Sequence, residues 1–243
     1  MKLWDSDEEL FLIAKQTLFT ALVGDILDKM GLVHQFLPAA IKPLSPQMVT
    51  IGRAMPVLEA DVYEEKSSKN GGNLMRKPFG LMFEALDSLK KDEVYICSGS
   101  SPSYALWGGL MSTRAMFLKG AGAVVNGYSR DTNEILKLGF PTFSIGSYAQ
   151  DQGVRGKVID YYTSIEIEGI RVSPGDLIFG DRDGVLIIPD KAVEEAFSGA
   201  IIKSRKENQV KKALLQSGIQ RVWLAGRQQK RTGKSLAGGR RSG

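Results

Sequence analysis

Apolar residues Leu10, Ile13, Ala14, Leu18, Ala21 and Leu22 recur at roughly the spacing of one helical face. The segment opens on Ser6, a residue suited to capping a helix N-terminus, with acids in the next turn. A second helix is predicted over 20–31 (TALVGDILDKMG), stopping at Gly31. From Ile41 to Ala60 the pattern changes to short extended pieces, with Pro43, Pro46 and Pro56 as breakers. The polar, glycine-bearing stretch 64–78 reads as a mobile loop or rim element. A helix over 79–89 and an apolar strand over 93–98 follow.

The middle of the chain alternates strand and helix. Glycines and serines at 99–103 precede a helical stretch, 106–119, and the turn 120–122 leads into a short buried strand, 123–125. Arg130-Asp131 then opens a helix over 132–138, ended by Gly139, and 140–145 returns as a strand. The region beyond is β-rich, with strands over 157–165, 167–172 and 177–188, and with turns at Pro174-Gly175-Asp176 and Asp183-Gly184. A long amphipathic helix spans 191–217, with Ala192, Val193, Ala196, Ala200 and Ile201 on one side and Gly218 as its stop. This is an α/β chain without an internal repeat.

Composition narrows the class. The 43% apolar and 24% charged fractions of this 243-residue chain are those of a globular protein. The net charge of +5 comes from the end of the sequence: 227–243 holds six basic residues and no acid, and without it the charge is −1. The expectation is one domain over 1–226, followed by a basic, flexible tail over 227–243. The near-neutral body argues against a nucleic-acid partner, and no apolar run is long enough to span a membrane. The acidic start, MKLWDSDEEL, lacks a secretory pattern, and Cys97 is the only cysteine, so the cytoplasm is the expected compartment and core filling the expected role of that thiol.

No nucleotide-binding glycine signature, CxxC, HExxH or GxSxG is present, and His34 is the only histidine, read as a surface or packing residue. Any metal should therefore be a hard ion on oxygen ligands, Mg²⁺ or Mn²⁺. The leading candidate site is 126–131 (NGYSRD), directly after a buried strand. An arginine can hold a carboxylate through two parallel hydrogen bonds, and the adjacent aspartate can ligate a divalent ion. A capping aspartate in an ordinary ion pair fits the same residues. Asp181 and Asp183 read as the fasteners of a tight turn rather than metal ligands.

Several segments in register carry a family resemblance: Trp107-Gly108-Gly109-Leu110, the run 120–131 (GAGAVVNGYSRD), 139–143 (GFPTF), and 174–189 through Pro174-Gly175-Asp176 and Gly180-Asp181-Arg182-Asp183-Gly184. Together with the entry helix they resemble the RraA-like/4-hydroxy-4-methyl-2-oxoglutarate aldolase family over about residues 17–217. The resemblance implies an αβ fold with a mixed sheet or barrel-like core flanked by helices, assembled as a homotrimer or a dimer of trimers with sites between subunits. It implies a divalent-metal-dependent lyase, an aldolase or decarboxylase that releases pyruvate from 4-hydroxy-4-methyl-2-oxoglutarate or oxaloacetate. Asp131 would ligate Mg²⁺ or Mn²⁺, Arg130 would bind the substrate, and Gly108, Gly109, Leu110 and Met111 would hold its carboxylate at a helix start. Glu207 of a neighbouring subunit would complete the metal's shell through water. The family's aldolases carry an acid where this chain has Gly109, and many relatives have Asp at Asn126. Glycine twenty-one positions before the arginine is the spacing of members that resemble the regulator of ribonuclease E activity, which makes a non-catalytic binder of a ribonuclease or other protein the alternative. The stretch 151–156 resembles a family loop that either lines the pocket, with Arg155 as a second anion contact, or is structural.

Overall fold

The structure, a computed structural model, describes residues 2–62 and 73–217. Ser6 Oγ accepts from Glu9 N–H at 3.2 Å and caps α1 (Asp7–Thr17), as its position in the sequence predicts. α2 (Thr20–Lys29) follows at a sharp bend of 111°. The chain continues through β1 (Lys42–Pro43), β2 (Thr50–Asp61), α3 (Asn73–Arg76), α4 (Met82–Ser88), β3 (Glu93–Ser98), β4 (Ala105–Trp107), α5 (Gly109–Phe117), β5 (Gly122–Val125) and β6 (Tyr128–Ser129). It ends with α6 (Thr132–Leu138), β7 (Thr142–Ser144), β8 (Gly146–Ser147), β9 (Gly156–Tyr161), β10 (Ile165–Ile167), β11 (Ile170–Val172), β12 (Leu177–Gly180), β13 (Val185–Ile188) and α7 (Val193–Ser217).

The main sheet runs β1-β7-β5-β3-β2-β12-β13, with β9 also on β2. Its centre (β2, β3, β5, β7) is parallel and its flanks are antiparallel, so the sheet is mixed. Leu37 N–H donates to Val185 O at 2.9 Å and Ile187 N–H to Gln35 O at 2.8 Å. The segment that makes these bonds to β13 runs on into β1 at the opposite edge, so the sheet is nearly closed into a barrel-like core.

Side chains alternate across the sheet with the two-residue period of a strand. Val94 and Ile96 of β3, Val124 of β5, Ile178 of β12 and Val185 and Ile187 of β13 point into the barrel, where Ile165, Ile167, Ile170 and Val172 of the β10–β11 hairpin fill it. Tyr95, Cys97, Ala123 and Val125 point outward under α4, α5 and α6. Leu177, Phe179, Leu186 and Ile188 point outward under α1, α2 and α7.

Three sequence expectations change. The short pieces expected over 41–60 are largely one strand: β2 runs unbroken through Pro56. On one side β2 pairs with β12 through Arg53 and with β9 from Val57, so the proline, which has no N–H to donate, stands in the gap between two partners. Leu106 and Trp107 belong to β4, not to a helix, because Gly108 is extended (φ −154°, ψ −177°) and α5 begins only after it. The strands expected over 157–165 and 167–172 become β9 and a separate hairpin. Glu168 (φ 48°) and Gly169 (φ 81°) are its two left-handed turn residues, the pair a tight hairpin requires. The stop at Gly218, the tail 227–243 and most of the 64–78 stretch lie outside the described residues.

α2 has no capping side chain of its own. Asp181, buried in the β12–β13 turn, supplies one from 161 residues away: Oδ2 accepts from Thr20 N–H and Oδ1 from Thr20 Oγ–H, each at 2.7 Å. Oδ1 also accepts from Asp183 N–H at 2.9 Å, which fastens the turn as expected. Asp181→Ala is expected to destabilise the protein by about 2–3 kcal/mol, since charge-assisted bonds to buried donors are lost. Thermal unfolding should show a midpoint lower by about 5 °C or more, and an unchanged midpoint would refute this role.

Candidate active site

Two short parallel strands bring the site together. β4 pairs with β6, and Arg130 N–H donates to Trp107 O at 2.9 Å, which sets the first turn of α5 beside the residues that open α6. Trp107 is buried beneath them, its indole N–H donating to Ser112 Oγ at 2.7 Å and its ring stacked 6.1 Å from Phe140. Ser112 Oγ in turn donates to Gly108 O at 3.0 Å. The backbone at 107–112 is thus held by a buried polar chain rather than by packing alone.

Asp131 has left-handed backbone (φ 56°, ψ 33°), one of the few conformations in which its carbonyl can start α6 while its side chain turns back toward α5. Glu134 and Ile135 N–H donate to that carbonyl at 2.9 and 3.1 Å. Asp131 Oδ2 accepts from Gly109 N–H at 3.2 Å and lies 3.7 Å from Arg130 Nε. A Cβ at position 108 would sit 2.9 Å from that same oxygen, so the approach needs glycine. Arg130 Nη1 is 2.8 Å from Asp151 Oδ1, which fixes the guanidinium at the rim of a cavity of about 370 Å³. The N–H groups of Leu110 and Met111, in the first turn of α5, have no acceptor among the described residues. Unpaired donors and the helix dipole favour an anion there.

The structure therefore brings together Gly108, Gly109, Leu110, Met111, Arg130 and Asp131, as the sequence suggested. It also adds two acids. Asp151 holds Arg130, and Glu134 fills the space in front of Gly109: a Cβ built on Gly109 would fall well inside the contact distance of Glu134 Oε2. A carboxylate from the first turn of α6 thus stands where a side chain at position 109 would begin, and it borders a surface pocket shared with Asp131 rather than the 370 Å³ cavity. Its sequence signal was its place three residues after Asp131, the spacing that returns a helical side chain to the same face.

Other candidates go elsewhere. Glu207 lies on α7, which packs on α2, and pairs with Lys203 at 3.7 Å rather than with Asp131. Arg155 Nη1 donates to Asp151 O at 3.0 Å, and the 151–156 loop borders the cavity through Asp151 and Gln152. Asn126 Nδ2 donates to Ser98 Oγ at 3.2 Å. His34 is exposed and Cys97 is buried in the core, its thiol pushed up by burial.

Among the described residues no cluster of three or more His, Cys, Asp or Glu is preformed for a metal. Asp131 nevertheless leaves Oδ1 without a hydrogen-bond partner among the described residues. One hard oxygen beside open space suits Mg²⁺ or Mn²⁺, which keep most of their coordination for water and substrate, and not a thiolate- or imidazole-seeking ion.

Residues 20–187 match the family model described as RraA-like, Aldolase/RraA. Protein DlpA of Legionella pneumophila subsp. pneumophila is 28% identical over 80% of this chain, which spans only 30% of DlpA's length. A Halalkalibacterium halodurans protein named "Putative 4-hydroxy-4-methyl-2-oxoglutarate aldolase" is 28% identical over 87% of this chain and 91% of its own. The fold is also that of Streptomyces coelicolor RraAS2, described as an unusual member of the RNase ES inhibitor RraA protein family (TM-score 0.71, 19% identity, 86% of this chain and 98% of that one).

One ionisable group lies directly behind the cavity. A bulge between Leu58 and Glu59 turns the Glu59 side chain into the protein, where Oε2 accepts from Gln152 Nε2–H at 2.7 Å and Oε1 has no partner. Burial pushes its carboxyl up to about 8, against the opposing effect of the Gln152 bond. The folded protein therefore keeps a proton that the unfolded chain releases above about 4.5. This contribution is fully present below pH 4.5 and is lost as pH rises to about 8, a change on the order of a few kcal/mol. Urea unfolding across that range should show stability falling with pH. The Glu59→Gln variant should have a flatter profile, and an unchanged slope would remove Glu59 as its source.

Proposed function

The chain belongs to the Aldolase/RraA family, and on that premise we propose that it is a divalent-cation-dependent carbon–carbon lyase that releases pyruvate from a small 2-oxo acid. The observation that supports this reading is the Arg130–Asp131 pair set against the start of α5, with the Glu134 carboxylate in front of Gly109.

The residues divide the work by their chemistry. The free N–H groups of Leu110 and Met111 receive the substrate carboxylate at the start of α5. Arg130, held in place by Asp151, donates to the keto oxygen or the adjacent carboxylate. Asp131 Oδ1 would hold Mg²⁺ or Mn²⁺, which when bound supplies positive charge to offset the negative charge that develops on the keto oxygen. Glu134 takes the proton of the 4-hydroxyl as the C3–C4 bond breaks, and the pyruvate half is then protonated at C3. We propose further that the working form is a homotrimer or dimer of trimers, in which Glu207 of a neighbour reaches the site through water. The cytoplasm is the compartment proposed for it.

The test is pyruvate release from 4-hydroxy-4-methyl-2-oxoglutarate and from oxaloacetate, with Mg²⁺ or Mn²⁺ and an EDTA control. Turnover should require the cation and vanish in Asp131→Ala. Glu134→Gln should separate the two reactions. Aldol cleavage, which must deprotonate a hydroxyl, should fall about 10²–10⁴-fold. Oxaloacetate decarboxylation has no such proton to lose and should fall by far less. Equal losses would remove Glu134 from proton transfer. No turnover by folded protein would favour the non-catalytic ribonuclease-binding alternative.

A further inference from the structure

The loop that carries Asp151 is tied to the body at both ends. At its start Ala105 N–H donates to Gln150 O at 2.8 Å, and at its finish Val62 N–H donates to Arg155 O at 2.8 Å. Within it, Gly153 N–H donates to Asp151 Oδ2 at 2.9 Å, and Arg155 and Gly156 N–H donate to Gln152 O at 2.7 and 3.0 Å. The loop is therefore a compact turn. It buries one side chain between Asp151 and Arg155, that of Gln152.

That amide reaches Glu59 of β2, 93 residues away along the chain, with Nε2–H donating to Oε2 at 2.7 Å. A line of contacts thus runs from the sheet to the cavity rim. Glu59 holds Gln152, Gln152 adjoins Asp151, and Asp151 Oδ1 meets Arg130 Nη1 at 2.8 Å. Displacing Gln152 from its seat moves the Asp151 carboxylate with it, because the two are neighbours in a turn that is hydrogen-bonded to itself.

Glu59 is ill suited to packing alone. It is 2% exposed, and Oε1 has no partner among the described residues. A buried, half-satisfied carboxyl destabilises a fold, and such groups gather at functional sites. The seat is enclosed within one protomer, so a neighbouring subunit has almost no surface of Glu59 to touch. Tyr95 and Cys97 face it from β3 and Tyr104 from the segment ahead of β4, where Tyr104 OH donates to Asp61 Oδ1 at 2.8 Å. On β9, Lys157 Nζ donates to Lys77 O at 2.6 Å and Asp160 accepts from Tyr161 N–H at 2.8 Å. In the loop, Asp151 meets Arg130, and Arg155 Nη1 donates to Asp151 O at 3.0 Å. Among the described residues, then, no cation is set against the Glu59 carboxyl.

Resting on the lyase reading of the site, we propose that Glu59 is a positioning residue for Arg130. It acts through Gln152 to keep the Asp151 carboxylate against the guanidinium, and so keeps the site ready for a 2-oxo carboxylate. The proton on Glu59 belongs to this role. Burial pushes the carboxyl up to about 8, and the Gln152 bond opposes that only in part. Once ionised, the carboxylate is disfavoured in its seat and is stabilised by water, which reaches it as the Gln152 side chain moves aside. The positioned state is the protonated one, and its share falls as pH rises through about 8.

The experiment uses the full chain with Mg²⁺. Pyruvate is the probe, its binding followed by calorimetry and its release from 4-hydroxy-4-methyl-2-oxoglutarate by steady-state kinetics. Glu59→Leu fills the seat without a bond to Gln152 and should raise both the pyruvate dissociation constant and KM about three- to tenfold. Gln152→Leu cuts the same bond from the loop and should do likewise, with little added in the double variant, because one bond is lost only once. A merely destabilised protein would lose kcat through loss of active molecules and keep its KM. Glu59→Gln retains an acceptor for Gln152 and cannot ionise. It should restore affinity at neutral pH and remove the weakening that the wild type shows as pH rises through about 8. This pattern in pyruvate binding without any turnover would uphold the positioning role and overturn the lyase reading. Turnover with KM, pyruvate affinity and pH profile unmoved in both Glu59 variants would overturn the positioning role and leave the lyase intact. Wild-type protein that neither binds pyruvate nor turns over would overturn both.

Discussion

Every central strand of this protein has two faces that must leave water. β3 shows the consequence most directly: Val94 and Ile96 need one apolar environment and Tyr95 and Cys97 need another. The near-closure of the sheet provides the first, with the β10–β11 hairpin filling the interior, and two helical covers provide the second. Such a core leaves little room for charge within the strands themselves. Chemistry is displaced to where the alternation stops, at the carboxyl ends of the parallel strands and on the small β4–β6–β8 sheet beside them. Glu59 departs from that pattern, and it enters the interior only because a bulge breaks the two-residue period.

At those strand ends the controlling quantity is space. Gly108 lets the Asp131 carboxylate approach the α5 backbone, and the bare Cα of Gly109 leaves room that Glu134 occupies. A carboxylate can reach one small volume from α5 or from α6, because the two helix starts are pinned together through Arg130 N–H and Trp107 O. Read along the chain, Gly109 looks like the loss of an acid. In three dimensions an acid from α6 stands where a side chain at that position would begin.

That difference marks what was legible in the sequence. Periodicity placed α1, α2 and α6 and the apolar strand β3, because each carries a full period of pattern or a clear start and stop signal. Motifs in register point to Arg130, Asp131 and the glycine turn before α5 together, and the fold sets them side by side. What was not legible depends on partners distant in sequence. Pro56 reads as a breaker because nothing local shows that β2 changes partner there. The role of Asp181 as the cap of α2 spans 161 residues. The Trp107 strand was merged into a helix because a three-residue apolar run fits either period. Glu134 and Asp151 are ordinary surface acids along the chain until the fold sets them against Gly109 and Arg130.

The Arg130–Asp151 pair shows how such an arrangement works energetically. Both side chains are more than a third exposed, so solvent screens their attraction and the pair adds little to folding. Its effect is on conformation: a long, flexible guanidinium is held at the cavity rim before any ligand arrives, which lowers the entropy lost when one binds. The same pairing weakens the net pull of Arg130 on an anion. Under the proposed function, much of the attraction for a substrate carboxylate comes from the free N–H groups at the start of α5, whose direction is set by backbone. On that reading, recognition of the acid end is divided between an oriented arginine and a helix terminus.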